Sequence, residues 1–148
     1  MNNTEIYSDW HEKYIRRLGL ITLALSQSAH YRVFQFASIK AWILPAVCHG
    51  NEHVFVDPDL GYVEGFMTWA CVDENTFKRL TTNSDYMLHP SEWNEGEHVV
   101  VLDFSTMPGC FISRLKKIKQ SGLFDKYQSV HSIRRNHEGE ILKIIKWK

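Results

Sequence analysis

Between Thr4 and Ser26, apolar side chains return every three or four positions, at Ile6, Trp10, Tyr14, Leu18, Ile21 and Leu25, with charged residues between them. This is the helical period, and it predicts an amphipathic helix with one stripe turned to a core. Gly19 interrupts the stripe at a cost of about 1 kcal/mol against alanine, so a close backbone approach or a kink is expected there. The helix gives out at Ser26 to Ser28, which puts His30 in the following turn.

The pattern then changes. Ile39 to Cys48, His53 to Val56 and Tyr62 to Ala70 read as three antiparallel strands, separated by Asn51 and by the turn residues 57–61. Pro45 cannot donate to a ladder, so a strand edge or bulge is expected at that point. Asp73 is a plausible N-cap for a short helix over 74–80. After a polar loop over 84–96, Glu97 to Phe104 is the most apolar strand. Pro108-Gly109 is expected to open a helix running to about Ser121 and ended by Gly122. One of its faces carries Phe111, Ile112, Leu115 and Ile118, the other Arg114, Lys116, Lys117 and Lys119. Residues 129–135 and 140–147, joined by the turn 136–139, predict a β-hairpin. The order is helix, three strands, helix, strand, helix and two strands: an α/β layer arrangement with a mixed sheet, in one domain over 1–148.

Composition adds that 44% hydrophobic and 13% aromatic residues suffice for one core. No apolar run is long enough to span a membrane. The segment Met1 to Trp10 is polar and acidic where a secretory signal would be basic and then apolar, so a cytoplasmic location is expected. Cys48, Cys71 and Cys110 are too scattered for a disulfide framework and are expected as reduced, buried small hydrophobes. His49 and His53 beside Cys48 do not share a helical face, so no metal site is expected. The formal charge is zero, yet residues 1–112 hold 7 Lys+Arg against 14 Asp+Glu, and residues 113–148 hold 10 against 3. Such a basic end suits an acidic protein or a phosphate-bearing cofactor. With no recognition motif and an acidic remainder, nucleic acid is not expected.

Asp103 closes the apolar run Val99-Val100-Val101-Leu102, and a carboxylate buried there is costly unless it is paired. His30 is the candidate partner. An imidazole near neutral pH can take a proton from an amine, and a carboxylate can orient it and stabilise the imidazolium.

Several local signatures, in this order, resemble the RTX toxin-activating lysine acyltransferases, a family similar in fold to GNAT-type acetyltransferases. They are Leu18-Gly19, then Ser26-Gln27-Ser28-Ala29-His30, Ile43-Leu44-Pro45-Ala46, Gly65-Phe66-Met67-Thr68-Trp69-Ala70, and the strand with Asp103 ahead of Met107-Pro108-Gly109. The resemblance covers roughly Leu18 to Lys146. It implies a GNAT-like, mixed but largely antiparallel sheet flanked by helices. It also implies transfer of a fatty acyl group from acyl carrier protein to internal lysine amines of an RTX protoxin. His30 and Asp103 match the family's essential histidine and aspartate, and Ser28 its assisting serine. With no cofactor resident, the donor is the 4'-phosphopantetheine thioester of the carrier protein. The turn Pro108-Gly109-Cys110 and the cations Arg114, Lys116 and Lys117 are the expected docking elements for it. A homodimer stays open.

His30 is expected as the base and Asp103 as its orienter; attack by Ser28 to form an acyl-enzyme ranks second. Trp69, Phe66, Trp42 and Phe104 are candidates to line an acyl channel, against the plainer reading as core. Two other functions are weighed: an acetyl-CoA-dependent acetyltransferase, and a silent relative that only binds a partner. The latter is motivated by the single residue, Ala29, between Ser28 and His30, where the family has two.

Overall fold

All ten residues of Val63–Val72 are buried, so this strand, β2, must be covered on both faces. Its even positions Phe66, Thr68, Ala70 and Val72 face one side, and Met67, Trp69 and Cys71 the other. The computed structural model describes residues 9–148; the predicted helix start at 4–8 and the side chain of Trp10 lie outside the described residues. The remaining strands are β1 (Glu52–Val56), β3 (His98–Thr106), β4 (Ser129–Arg135) and β5 (Ile141–Lys146). They form one open sheet in the order β1-β2-β3-β4-β5, antiparallel except for the parallel pair β3 and β4. With helices on both faces this is the expected mixed, mostly antiparallel α/β fold.

Helix α1 (Asp9–Gln27) buries Ile21, Ala24 and Leu25 against Phe66 and Val63. It runs unbroken through Gly19, where an added Cβ would meet nothing within 4 Å. The expected close approach is therefore absent. A 3-10 turn, Ala29–Val33, follows and carries His30.

The segment expected as a first strand is helical. A π turn, Ile39–Ile43, leads into α2 (Leu44–Cys48), so two strands, not three, precede α3 (Glu74–Thr82). Ile39, Trp42, Ile43, Ala46 and Val47 fall three and four apart, and they are the positions that pack inward. Pro45 sits in the first turn of α2, directly after the π turn. Asp73 caps α3 as expected, accepting from the Thr76 N–H at 2.7 Å. The last helix, α4 (Phe111–Gln120), starts later than expected because Gly109 has φ +87°, which cannot continue a helix. Of the cysteines, Cys71 is buried, Cys110 half-buried and Cys48 exposed, so the expectation fails at Cys48.

One face of the sheet is covered by α1, α2 and α3, with Trp93 plugging the core beside Leu80. The opposite face is covered by Ile118 of α4 together with Phe124. Pairing of β3 with β4 ends at Val101 and Ser132, although both strands continue. The sheet is thus split at the C-terminal ends of its parallel pair.

Candidate active site

A bulge in β3 decides where Asp103 points. Thr68 pairs with Asp103 but Trp69 pairs with Val101, leaving Leu102 as the extra residue. In an unbroken strand Asp103 would share a face with Val99 and Val101, against Phe124. The bulge reverses that parity and turns the carboxylate to the face of Thr68, toward the 3-10 and π turns. Gly65 lets the two strand ends approach here: a Cβ would lie 2.0 Å from the Ser105 carbonyl oxygen.

Asp103 is 7% exposed and accepts three hydrogen bonds. Tyr31 Oη donates to Oδ1 at 2.5 Å, while Trp42 Nε1 at 2.8 Å and Thr68 Oγ1 at 2.7 Å donate to Oδ2. Short bonds of this kind offset the desolvation of a buried charge. Burial, and then the neighbouring carboxylate, push the Tyr31 phenol well above its ordinary value, so it stays protonated and remains a donor.

The carboxylate borders a cavity of about 640 Å³ that opens where β3 and β4 part. Its walls come from the 3-10 and π turns (His30, Tyr31, Trp42), the end of β3 (Asp103, Phe104), the end of β4 (Arg134, Arg135) and the β4–β5 turn (His137). His30 and Asp103, 73 positions apart, share this space. None of the carboxylate's three bonds comes from His30. Tyr31 lies between them: its ring meets the His30 ring edge-on with centroids 4.9 Å apart, and its hydroxyl reaches Asp103. The His137 ring is 5.3 Å from His30 on another side.

The other candidates are placed elsewhere. Ser28 caps the 3-10 turn through its carbonyl, which accepts from the Tyr31 N–H at 3.2 Å, and it does not line the cavity. Pro108, Gly109 and Cys110 form the turn after β3, beyond the cavity wall. Arg114 turns inward: Glu64, 6% exposed, accepts from its Nε at 2.6 Å and pairs with its Nη2. Lys116, Lys117 and Lys119 are left exposed on α4, with Lys119 over the Trp147 ring. Of the four aromatic channel candidates, Trp42 and Phe104 line the cavity, whereas Phe66 and Trp69 are core.

Sequence reasoning missed Tyr31, Thr68 and Arg135. Burial of an aspartate demands donors, which was legible, but their identity depended on the bulge and on the helical course of 39–48. Arg135 is half-buried at the end of β4; its Nη1 donates to the Ser84 carbonyl at 3.1 Å and the Gly139 carbonyl at 2.6 Å. Burial lowers its guanidinium from the ordinary value, and the charge of Asp103 opposes that fall.

An imidazole and a carboxylate fixed by three donors thus border one largely apolar cavity at the split of an α/β sheet, which makes it the candidate site for proton transfer. Residues 10–148 match the family model described as HlyC: RTX toxin acyltransferase family, and the chain belongs to that family. It is therefore an acyltransferase of the RTX toxin class, and a toxin is the substrate its family implies. No curated protein matches the chain. No helix among the described residues is long and apolar enough to cross a membrane.

Proposed function

We propose that the protein transfers a fatty acyl group from the thioester of an acyl carrier protein to lysine ε-amines of an RTX protoxin, with His30 as general base. The observation that carries this reading is the shared cavity of His30 and Asp103. A lysine amine is protonated at neutral pH and attacks only as the free base. In the proposed step its nitrogen bonds to the thioester carbonyl carbon, and His30 takes the proton that nitrogen sheds. The carbon–sulfur bond then breaks and the imidazolium returns the proton to the departing thiolate, leaving an amide and a free thiol. Asp103 holds Tyr31, against which the His30 ring rests, and so acts through the phenol to place the base.

Direct transfer is preferred over a Ser28 acyl-enzyme, because Ser28 stands outside the cavity walls. The exposed Lys116, Lys117 and Lys119 suit an acidic carrier protein. A donor of that kind places the reaction in the cytoplasm.

Incubation of the protein with acyl carrier protein bearing a labelled acyl group and with protoxin tests this reading. Label on toxin lysines, located by mass spectrometry, is expected. Label arriving only from acyl-CoA, label trapped on Ser28, or no transfer from any thioester would overturn it.

A further inference from the structure

Arg135 Nη2 is buried and has no hydrogen-bond partner among the described residues. Its sister Nη1 is held by two backbone carbonyls, and the guanidinium lies 6.0 Å over the Trp42 ring. The side chain is thus anchored at one nitrogen while the other is left without a partner, and Arg135 lines the same cavity as His30 and Asp103. The charge of Asp103 acts on it only through space: the carboxylate's hydrogen bonds go to Tyr31, Trp42 and Thr68, and among the described residues no salt bridge joins it to Arg135. A desolvated cationic N–H with nothing to donate to is costly in a resting protein. It becomes favourable when an anionic oxygen arrives.

We infer that Arg135 Nη2 donates to the thioester carbonyl oxygen and holds the negative charge that develops there when the amine attacks. This rests on the acyl-transfer reading above and assigns the electrophilic side of the same step. As the new carbon–nitrogen bond forms, the carbonyl electron pair moves onto oxygen beside Arg135. It returns to re-form the carbonyl as the carbon–sulfur bond breaks, so no other reactant is needed. The step then divides between His30, which takes the proton on the amine side, and Arg135, which faces the oxyanion.

The test is steady-state and single-turnover transfer by wild type, Arg135→Gln and Arg135→Lys, with melting temperatures measured alongside. Removing one such donor lowers kcat by about 10²–10³-fold. Arg135→Gln is expected to fall in this range with KM for the donor within a few-fold of wild type. A folded Arg135→Gln with wild-type kcat overturns the inference, as does a rise in KM at unchanged kcat, which would mean ground-state binding alone. Where Arg135→Gln does not fold, Arg135→Lys decides. Its single ammonium cannot satisfy both carbonyls and also reach the Nη2 position, so kcat should drop at least about tenfold, and an undiminished kcat overturns the role. Inactive wild type under the same conditions would instead refute the acyl-transfer reading, and this role with it.

Discussion

Thr68→Val removes one of the three donors that hold Asp103 while keeping the side chain's shape. Thr68 is fully buried, and its hydroxyl lies 2.7 Å from Oδ2, an oxygen it shares with Trp42. A hydrogen bond to a charged acceptor contributes about 1.5–3 kcal/mol, and Thr68 is wholly buried in a strand covered on both faces. For a chain of this size each kcal/mol moves the melting temperature by about 2–4 °C, so a loss near 2 kcal/mol predicts a fall of about 4–8 °C. Thr68→Ser keeps the hydroxyl and loses only a methyl group, about 1 kcal/mol, so it should melt between wild type and Thr68→Val. Calorimetric melting of the three proteins, with transfer rates measured in parallel, is the assay. The rate of Thr68→Val should fall while KM for the donor holds, because the carboxylate is loosened and no substrate contact is removed. A Thr68→Val protein that melts within about 1 °C of wild type, and above Thr68→Ser, would refute the claim that the threonine hydroxyl stabilises a buried anion.

Three further outcomes follow from the geometry. Gly65→Ala must drive a Cβ into the Ser105 carbonyl and prise apart the strand ends beside Asp103, costing about 1–3 kcal/mol; an unchanged melting temperature would contradict the close approach. Reversing Lys116 and Lys117 to glutamate should weaken binding of acyl carrier protein and flatten its salt dependence in a titration of initial rates; unchanged kinetics would remove α4 from donor docking. Burial, then Lys146 and His98, lower the His131 imidazole from its ordinary value. The unfolded chain, with histidine near 6.5, then binds protons that the folded state resists. That part of the stability is present above about pH 6.5 and is lost as the pH falls through it. His131→Gln, which cannot protonate, should show a shallower fall in melting temperature on acidification; an identical slope would sink this assignment.

The strand expected over Tyr62 to Ala70 and found at Val63–Val72, the apolar run ending at Asp103, the Asp73 cap and the closing hairpin were legible because each is a local pattern with one reading. Residues 39–48 were not, since a short run rich in Ile and Trp with a proline fits an edge strand as readily as a helix entered at proline. There the inward packing of Ile39, Trp42 and Ile43 against α1 and β2 settles the period. His30 and Asp103 line one cavity, as their chemistry and the family resemblance suggested, but the carboxylate's partners are Tyr31, Trp42 and Thr68, so the expected direct orienting contact to His30 is not made. Tyr31 between them was not anticipated. Nor was the Leu102 bulge, because parity reverses only when β2 fixes the register, and no residue type in Val101-Leu102-Asp103 announces it. Arg135 escaped notice for a related reason: its importance lies in the unpaired nitrogen, which exists only once Ser84 and Gly139 have claimed the other.

Single-turnover transfer of an acyl group from its carrier protein to toxin lysine, compared between wild type and His30→Ala at matched melting temperature, tests the central claim most directly. Loss of a general base predicts a rate lower by about 10²–10⁴-fold, with the folded state intact because His30 is exposed. A His30→Ala protein that transfers at the wild-type rate would contradict the account.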